Sequence, residues 1–388
     1  MDFELSAEQR MFRDAVRGLA RRHLPAGALA RAHSDRFDFE TARLFAGNGL
    51  MGIALPEADG GQGGTLMDAV IAIEEVAAAC PRSADIIQAG NFGAIRTLAE
   101  YATPDQKARF LAPLLAGETL VGLGMSEPGA GSAVTDLAST AIPDGDGYRL
   151  SGGKVFTSHS AEADVFLVYC RFGPGVGGIG SVIVERGAPG FTQGPPVRYM
   201  NDETWCALYF DNVPVPPENV LLGPGGFKKQ IQGFNAERIG NTARSLALGR
   251  YAFEAAREHV ALRRQFGRPL MDFQGIQWKF AEMQIKLDAG QLLLYRAASA
   301  ADRGLPSAQD TAIAKAFCNR AGFDIANEAL QCMGGGGYCR DSLVEYCFRK
   351  TRGWMIAGGS NEMMLNRIAE GVFDSRFPQR PPKPASAG

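Results

Sequence analysis

Apolar and polar positions alternate along this chain in three successive textures. Up to about residue 120 the period is mostly helical. Met11, Phe12, Val16 and Leu19 follow a possible capping box, Ser6-x-x-Gln9. The stretch from Leu50 to Thr65 interrupts this with Pro56 and a glycine cluster at 60–64, and helical patterning is predicted again over Met67–Ala79 and Gly90–Leu115. Near Val121 the texture turns to short β-rich runs, Val165–Cys170 and Ser181–Glu185, with Asp144-Gly145-Asp146-Gly147 as a turn between strands. Leu208-Tyr209-Phe210 and Val213-Pro214-Val215-Pro216 read as a last strand and an extended exit. From about Gly226 long helices return. Ile276, Phe280, Met283 and Leu287 recur at helical spacing, as do Ile313 and Phe317 after Ser307-x-x-Asp310, and Ser342-x-x-Glu345 marks another start. These stripes predict core and subunit contacts. The chain thus divides into a helical segment over 1–120, a β segment over 121–222 resembling a small barrel or sandwich, a helical segment over 223–375, and a Pro-rich tail over 376–388 expected to be disordered. The fold class is α+β.

The chain's 388 residues suffice for two or three domains sharing buried surface, and 46% hydrophobic with 21% charged residues is ordinary for a globular protein. A net charge of -2 supplies no positive field for nucleic acid or anionic lipid. No run approaches the roughly 18 apolar residues of a membrane span. The N-terminus is acidic and enters a helix pattern at once, unlike a signal or transit peptide. Seven cysteines without a CxxC argue against a disulfide framework or a zinc site, and a cytoplasmic location is the expectation.

Five segments could carry chemistry. Leu123-Gly124-Met125-Ser126-Glu127-Pro128-Gly129-Ala130-Gly131-Ser132 would let a backbone approach a ligand, with hydroxyls to bond it, yet on its own it is merely a Gly-rich loop. It is neither a P-loop nor a GxGxxG turn. Gly153-Lys154-Val155-Phe156-Thr157-Ser158 places an aromatic two residues before a hydroxyl, which suits a flat ring or simply an ordinary strand. Arg263-Arg264-Gln265-Phe266-Gly267, with Phe273-Gln274 downstream, suits a pyrophosphate or a solvated charged face. Gln331-Cys332-Met333 followed by four glycines (334–337) exceeds what a helix C-cap needs. Gly358-Gly359-Ser360-Asn361-Glu362 reads first as a helix N-cap.

Taken in order and spacing, these blocks resemble the acyl-CoA dehydrogenase family from about Phe3 to Phe373. So do Leu55-Pro56-Glu57 before the first glycine cluster and Gln106-Lys107 before Leu111-Ala112-Pro113-Leu114-Leu115-Ala116-Gly117-Glu118. The resemblance implies an N-terminal all-α domain, a central β domain and a C-terminal four-helix bundle, assembled as a homotetramer of paired dimers. It implies FAD between the β domain and the bundle. Leu123, Met125 and Ser126 would line the flavin edge, Phe156 would cover the ring, and Ser158 would stand for the Thr that bonds flavin N5. Ser132 would lie near the flavin phosphates or the CoA arm. Arg263, Gln265, Phe273, Gln274, Gln331, Gly334 and Gly335 would hold the FAD of a partner subunit, and Ser360 and Glu362 would return to the first FAD. The partners implied are an acyl-CoA substrate and an electron-transferring flavoprotein.

The reaction needs a base for the α-proton of a thioester, and a carboxylate serves if burial raises its pKa. Many family members carry that glutamate just before the Gly of the last motif, where this chain has Gly358. Isovaleryl-CoA and long-chain acyl-CoA dehydrogenases place it in a Glu-Arg pair on a C-terminal helix instead. The chain has that pair in Phe234-Asn235-Ala236-Glu237-Arg238, so Glu237 is the expected base, with Asn235 and Arg238 toward the substrate. His159 and His259 are not expected to act as bases. Ala133 stands where the family usually has Asp. Rival readings are a non-catalytic FAD-binding subunit, which Gly358 favours and Glu237 opposes, and an enoyl-CoA reductase of the crotonobetainyl-CoA reductase type. The acyl group is not readable; its pocket would depend on side chains such as Phe92, Ile95 and Trp354.

Overall fold

The computed structural model describes residues 4–301 and 306–379, so the expected disordered tail lies outside the described residues from 380 onward. The first third is helical: α1 (Ala7–His23), α2 (Phe39–Ala46), α3 (Leu66–Ala79), α4 (Ala84–Asn91) and α5 (Ala94–Tyr101). Ser6 and Gln9 form the complete predicted capping box at the start of α1. Thr65 and Asp68 make a second before α3. The helix expected over 90–115 is not continuous. It breaks between α4 and α5, where Gly93 has φ +73°, and continues after α5 in short turns to Leu115.

The middle is one mixed nine-stranded sheet: β1 (Val121–Gly124), β2 (Thr140–Asp144), β3 (Gly147–Ser158), β4 (Val165–Arg171), β5 (Ile179–Glu185), β6 (Phe191–Gln193), β7 (Val197–Arg198), β8 (Thr204–Val215) and β9 (Val220–Leu222). Its order is β6-β8-β3-β2-β4-β5-β9, with β1 parallel beside β4 and β7 beside β8. The predicted turn at 144–147 joins β2 to β3, with Asp144 opposite Gly147. The unbroken apolar runs of β4 and β5 are buried along nearly their whole length, as such runs are when both faces of a sheet are covered.

The last third holds α6 (Phe227–Leu262), α7 (Gln274–Ala301), α8 (Ala308–Met333), α9 (Leu343–Trp354) and α10 (Asn361–Val372). Helix α7 runs antiparallel to α8, with Lys279 opposite Glu328 and Arg296 opposite Asp310, and antiparallel to α6, where Phe253 meets Phe280. Helices α6 and α8 therefore run parallel, and their backbones touch: a Cβ on Gly249 would stand 3.0 Å from the Cα of Gly322. The cap before α9 differs from expectation. Ser342 accepts from Val344 N, and Glu345 binds Arg349 instead. One apolar core spans both helical regions, joining Val70, Ile73 and Val76 of α3 to Leu246, Leu294, Ile325 and Tyr346. The sheet has its own core around Phe166, Val182, Leu208 and Phe210. Among the described residues no helix is long and apolar enough to cross a membrane, and no group of three metal-ligating side chains occurs. All seven cysteines are unpaired.

Candidate active site

Glu237 stands on α6 and reaches into the break between α4 and α5. A Cβ on Gly93 would lie 2.7 Å from Glu237 Oε2, so the residue that interrupts the helical run also leaves room for the carboxylate. Two amides bind it. Gln88 Nε2 of α4 donates to Oε2 at 2.8 Å, and Asn241 Nδ2, one turn along α6, donates to Oε1 at 3.2 Å. Burial raises the pKa of Glu237 to about 7, against the pull of Arg244, the two amides and Lys315, all of which favour the charged form. The carboxyl borders a recess lined by Gly93, Thr97, Leu123, Tyr169 and Phe234.

The loop before α10 closes over the same turn of α6. Arg238 Nε donates to Gly358 O at 3.1 Å, and its Nη1 donates to Asn235 Oδ1 at 3.0 Å. Gly358 has φ +68°, and a Cβ there would stand 2.9 Å from Asn241 Nδ2. Positions 237 and 358 thus both adjoin the Asn241 amide, and only 237 bears a carboxylate. Behind the loop, the fully buried Lys315 of α8 donates to Trp354 O at 2.9 Å, and burial, with Arg238 nearby, lowers its pKa to about 7. Ser360 caps α10 and accepts from Met363 N; Glu362 is exposed in the first turn. Phe92, Ile95 and Trp354 are all buried.

The sheet supplies the other wall. Leu123 lines the recess, and Met125 and Ser126 continue beyond the end of β1. Beneath them lies a buried ion pair: Lys154 Nζ is 2.6 Å from Glu127 Oε1 and also donates to Met125 O at 3.3 Å. The carboxylate of Glu127 is bound further by Ser139 N at 3.0 Å. The β3–β8 register shifts between Lys154 and Thr157, and inside that bulge Phe156 has φ +60°. The bulge turns the side chain outward, leaving Phe156 60% exposed beside Trp205, with ring centroids 4.7 Å apart. Ser158, at the end of β3, is exposed, as is Ser132 in its loop.

The remaining predicted ligand residues lie elsewhere. Arg263 caps the far end of α6, 26 residues from Glu237, which is about 39 Å along a helix. Gln265, Phe273 and Gln274 follow it, and Gln331, Gly334 and Gly335 close α8 at that same end of the bundle. Arg263, Gln265, Gln274 and Gln331 are exposed, and Gly334–Gly336 have open space where side chains would stand. His159 is half-buried 3.4 Å from Glu162, a carboxylate neighbour that the sequence did not reveal; it packs against Phe37, and desolvation lowers its pKa. Gln88, Asn241, Arg244, Lys315 and Trp205 were missed, because each acquires its neighbours only on folding. The Asn241 amide, at i+4 from Glu237 on one helix face, is the exception that helical spacing could have found.

Comparison with known proteins gives the same order of segments. The descriptions "Acyl-CoA dehydrogenase, N-terminal domain", "middle domain" and "C-terminal domain" match residues 6–118, 122–213 and 224–373. The chain is 32% identical over 378 residues, covering 96% of it and 100% of the relative, to a short-chain-specific acyl-CoA dehydrogenase of Clostridium acetobutylicum. It is 33% identical over 381 residues, 96% of each chain, to an NADH-dependent acryloyl-CoA reductase of Anaerotignum propionicum. Butyryl-CoA dehydrogenase from Megasphaera elsdenii superposes with a TM-score of 0.89 at 31% identity, over 96% of this chain and 100% of that one.

Proposed function

The chain belongs to the acyl-CoA dehydrogenase family, and from that premise we propose that it desaturates a short acyl-CoA between the α and β carbons with Glu237 as the base. One observation carries this reading: the half-buried Glu237, its carboxyl pKa pushed up to about 7 by desolvation, borders a recess, beside a loop whose nearest alternative position is the side-chain-free Gly358. Such a carboxylate is strong enough to take an α-proton near neutral pH and weak enough to release it. Gln88 and Asn241 hold it from the side away from the recess. Behind them stand Arg244 and Asp85, also buried. The similarity to a short-chain-specific acyl-CoA dehydrogenase and to butyryl-CoA dehydrogenase supports a short acyl group.

The residues present fit FAD, which in this family accepts hydride from the β-carbon. Phe156, bare and turned outward beside Trp205, offers an aromatic face. Leu123, Met125, Ser126 and Ser158 offer an apolar edge and hydroxyls, with Ser132, Ser360 and Glu362 around them. We assign Arg238 and Asn235 to the CoA arm of the substrate. Arg263, Gln265, Phe273, Gln274, Gln331, Gly334 and Gly335 suit a dinucleotide but stand too far along α6 to reach the same one. We assign them to the FAD of a partner subunit in a homotetramer. An electron-transferring flavoprotein is the assigned acceptor, and the cytoplasm the assigned compartment.

Anaerobic titration of the FAD enzyme with acyl-CoAs tests the reading. Butyryl-CoA should bleach the flavin absorbance and palmitoyl-CoA should not. Glu237→Gln should stay yellow and fail to bleach; undiminished reduction by this variant would remove Glu237 from the base role. The similarity to an acryloyl-CoA reductase favours a second reading, the reverse direction. Rapid reoxidation of the reduced enzyme by a short enoyl-CoA, without bleaching by the saturated thioester, would establish it.

A further inference from the structure

We propose that Asn241 is the positioning residue of Glu237, held by Arg244 in the one amide orientation that donates to the base. This rests on Glu237 being the base.

The orientation follows from donor chemistry. A guanidinium has five N–H donors and no acceptor. Arg244 Nη2 lies 2.5 Å from one end of the Asn241 amide, so that end is the oxygen. The NH2 group must then face the other way, toward Glu237 Oε1 at 3.2 Å. All three residues share one face of α6, at steps of four and three. An unrestrained asparagine could turn its oxygen toward the carboxylate and favour its protonated form. Arg244 forbids that.

Arg244 is itself fixed. Its Nη1 donates to Asp85 Oδ1 at 2.6 Å, and its guanidinium lies 4.9 Å from the Trp354 ring centroid. Asp85 Oδ2 also takes Arg82 at 2.7 Å and Lys350 at 2.8 Å. Both of those cations also pair with Glu203. Burial would raise the pKa of Asp85, but Lys350, Arg244 and Arg82 together hold it well below the ordinary carboxylate range. This buried cluster ties the start of α4, the entry to β8, α6 and α9 to one point. Within it, the guanidinium of Arg244 faces the Asn241 carbonyl, while burial lowers the pKa of Lys350 to about 7.

The charged groups facing Glu237 from the elements around it have the same sense. Lys315 approaches from α8, Arg238 and Arg244 belong to its own helix, and Asp85 of α4 is engaged by its three cations. Gln88, also from α4, contributes only its donor end, because its oxygen faces Gly240, where an added Cβ would lie 1.9 Å away. Asn241 has a second effect. It fills the space over Gly358, so a side chain on that loop cannot enter without displacing the amide. The residue that steadies the helix-borne base also keeps the loop position empty.

The test uses the FAD enzyme with carboxyl-13C-labelled glutamate, the Glu237 resonance being identified by its loss in Glu237→Gln. In Asn241→Leu the NMR titration midpoint of Glu237 should rise by about one pH unit or more. The acid limb of the flavin-reduction rate should move by the same amount. Arg244→Gln should shift both in the same direction. Asn241→Leu leaves every ion pair of the cluster in place, so it decides the matter even where Arg244→Gln does not fold. A midpoint unchanged within about 0.3 unit in folded Asn241→Leu overturns the proposal. The NMR midpoint is read without turnover, so an active Glu237→Gln would remove the base reading while the shift in Asn241→Leu still reports whether the amide holds the carboxylate.

Discussion

At the scale of single residues, the site is a carboxyl whose charged form is disfavoured by burial. Glu237 has a folded pKa near 7 against an ordinary 4.5. The sign of the linkage follows. Below about pH 4.5 the group is protonated folded or unfolded and costs nothing. As pH rises from there to about 7 the unfolded chain ionises first, so folded stability falls, and above 7 the full cost is present. That cost is at most roughly 3 kcal/mol. Glu237→Gln should therefore raise the Tm of the protein at pH 8.5 and leave it nearly unchanged at pH 4.5. Equal shifts at both pH values would mean that the carboxylate is not desolvated. Residue types at this scale were partly legible in the sequence. The Glu-Arg pair and the missing carboxylate at 358 were visible on paper. Asn241 and Arg244 stand at helical spacing from Glu237, but their link to Asp85 was not legible, because Asp85 comes from a segment whose pairing with α6 no local pattern encodes.

At the scale of elements, the informative positions are where the period fails. The apolar pattern over 90–115 reads as one helix, and the structure breaks it at Gly93, whose positive φ and missing Cβ make room for Glu237. One glycine in an apolar run is a weak signal, since tertiary contacts decide whether it bends or merely weakens a helix. Gly93→Ala should cut the flavin-reduction rate at least tenfold by displacing the carboxylate, with FAD content retained; an unaltered rate would show that the break serves only the backbone. The α6–α8 contact is a different case. A Cβ on Gly322 would stand 2.3 Å from Ser245 O, backbone on backbone. Gly322→Val should cost about 1–3 kcal/mol in urea unfolding and push apart the helices that carry Glu237 and Lys315. Helix caps at Ser6 and Ser307 and the turn at 144–147 were legible because their chemistry is local. The bulge that turns Phe156 outward was not, since bulges depend on the partner strand.

At the scale of the molecule, two features point beyond one protomer. The candidate FAD residues form two sets, one on the sheet and at the start of α10 and one beyond the far end of α6, where Arg263 stands about 39 Å along the helix from Glu237. The sequence shows both sets but not their separation. Helix α7 also leaves Trp278, Ile285 and Leu292 exposed at 61%, 67% and 44%, seven residues apart, with Met271 one step before them. A repeat of seven keeps such side chains along one face, and a bare apolar stripe of this length suits another helix. If subunit contact also completes the cofactor site, assembly and FAD retention are a single equilibrium. Ile285→Glu with Trp278→Glu should then lower the mass seen by light scattering and release FAD in step, with free FAD shifting the assembly back. A smaller species that keeps one FAD per chain would separate the two, and would place the exposed Arg263, Gln265 and Gln331 in some role other than holding a neighbour's cofactor.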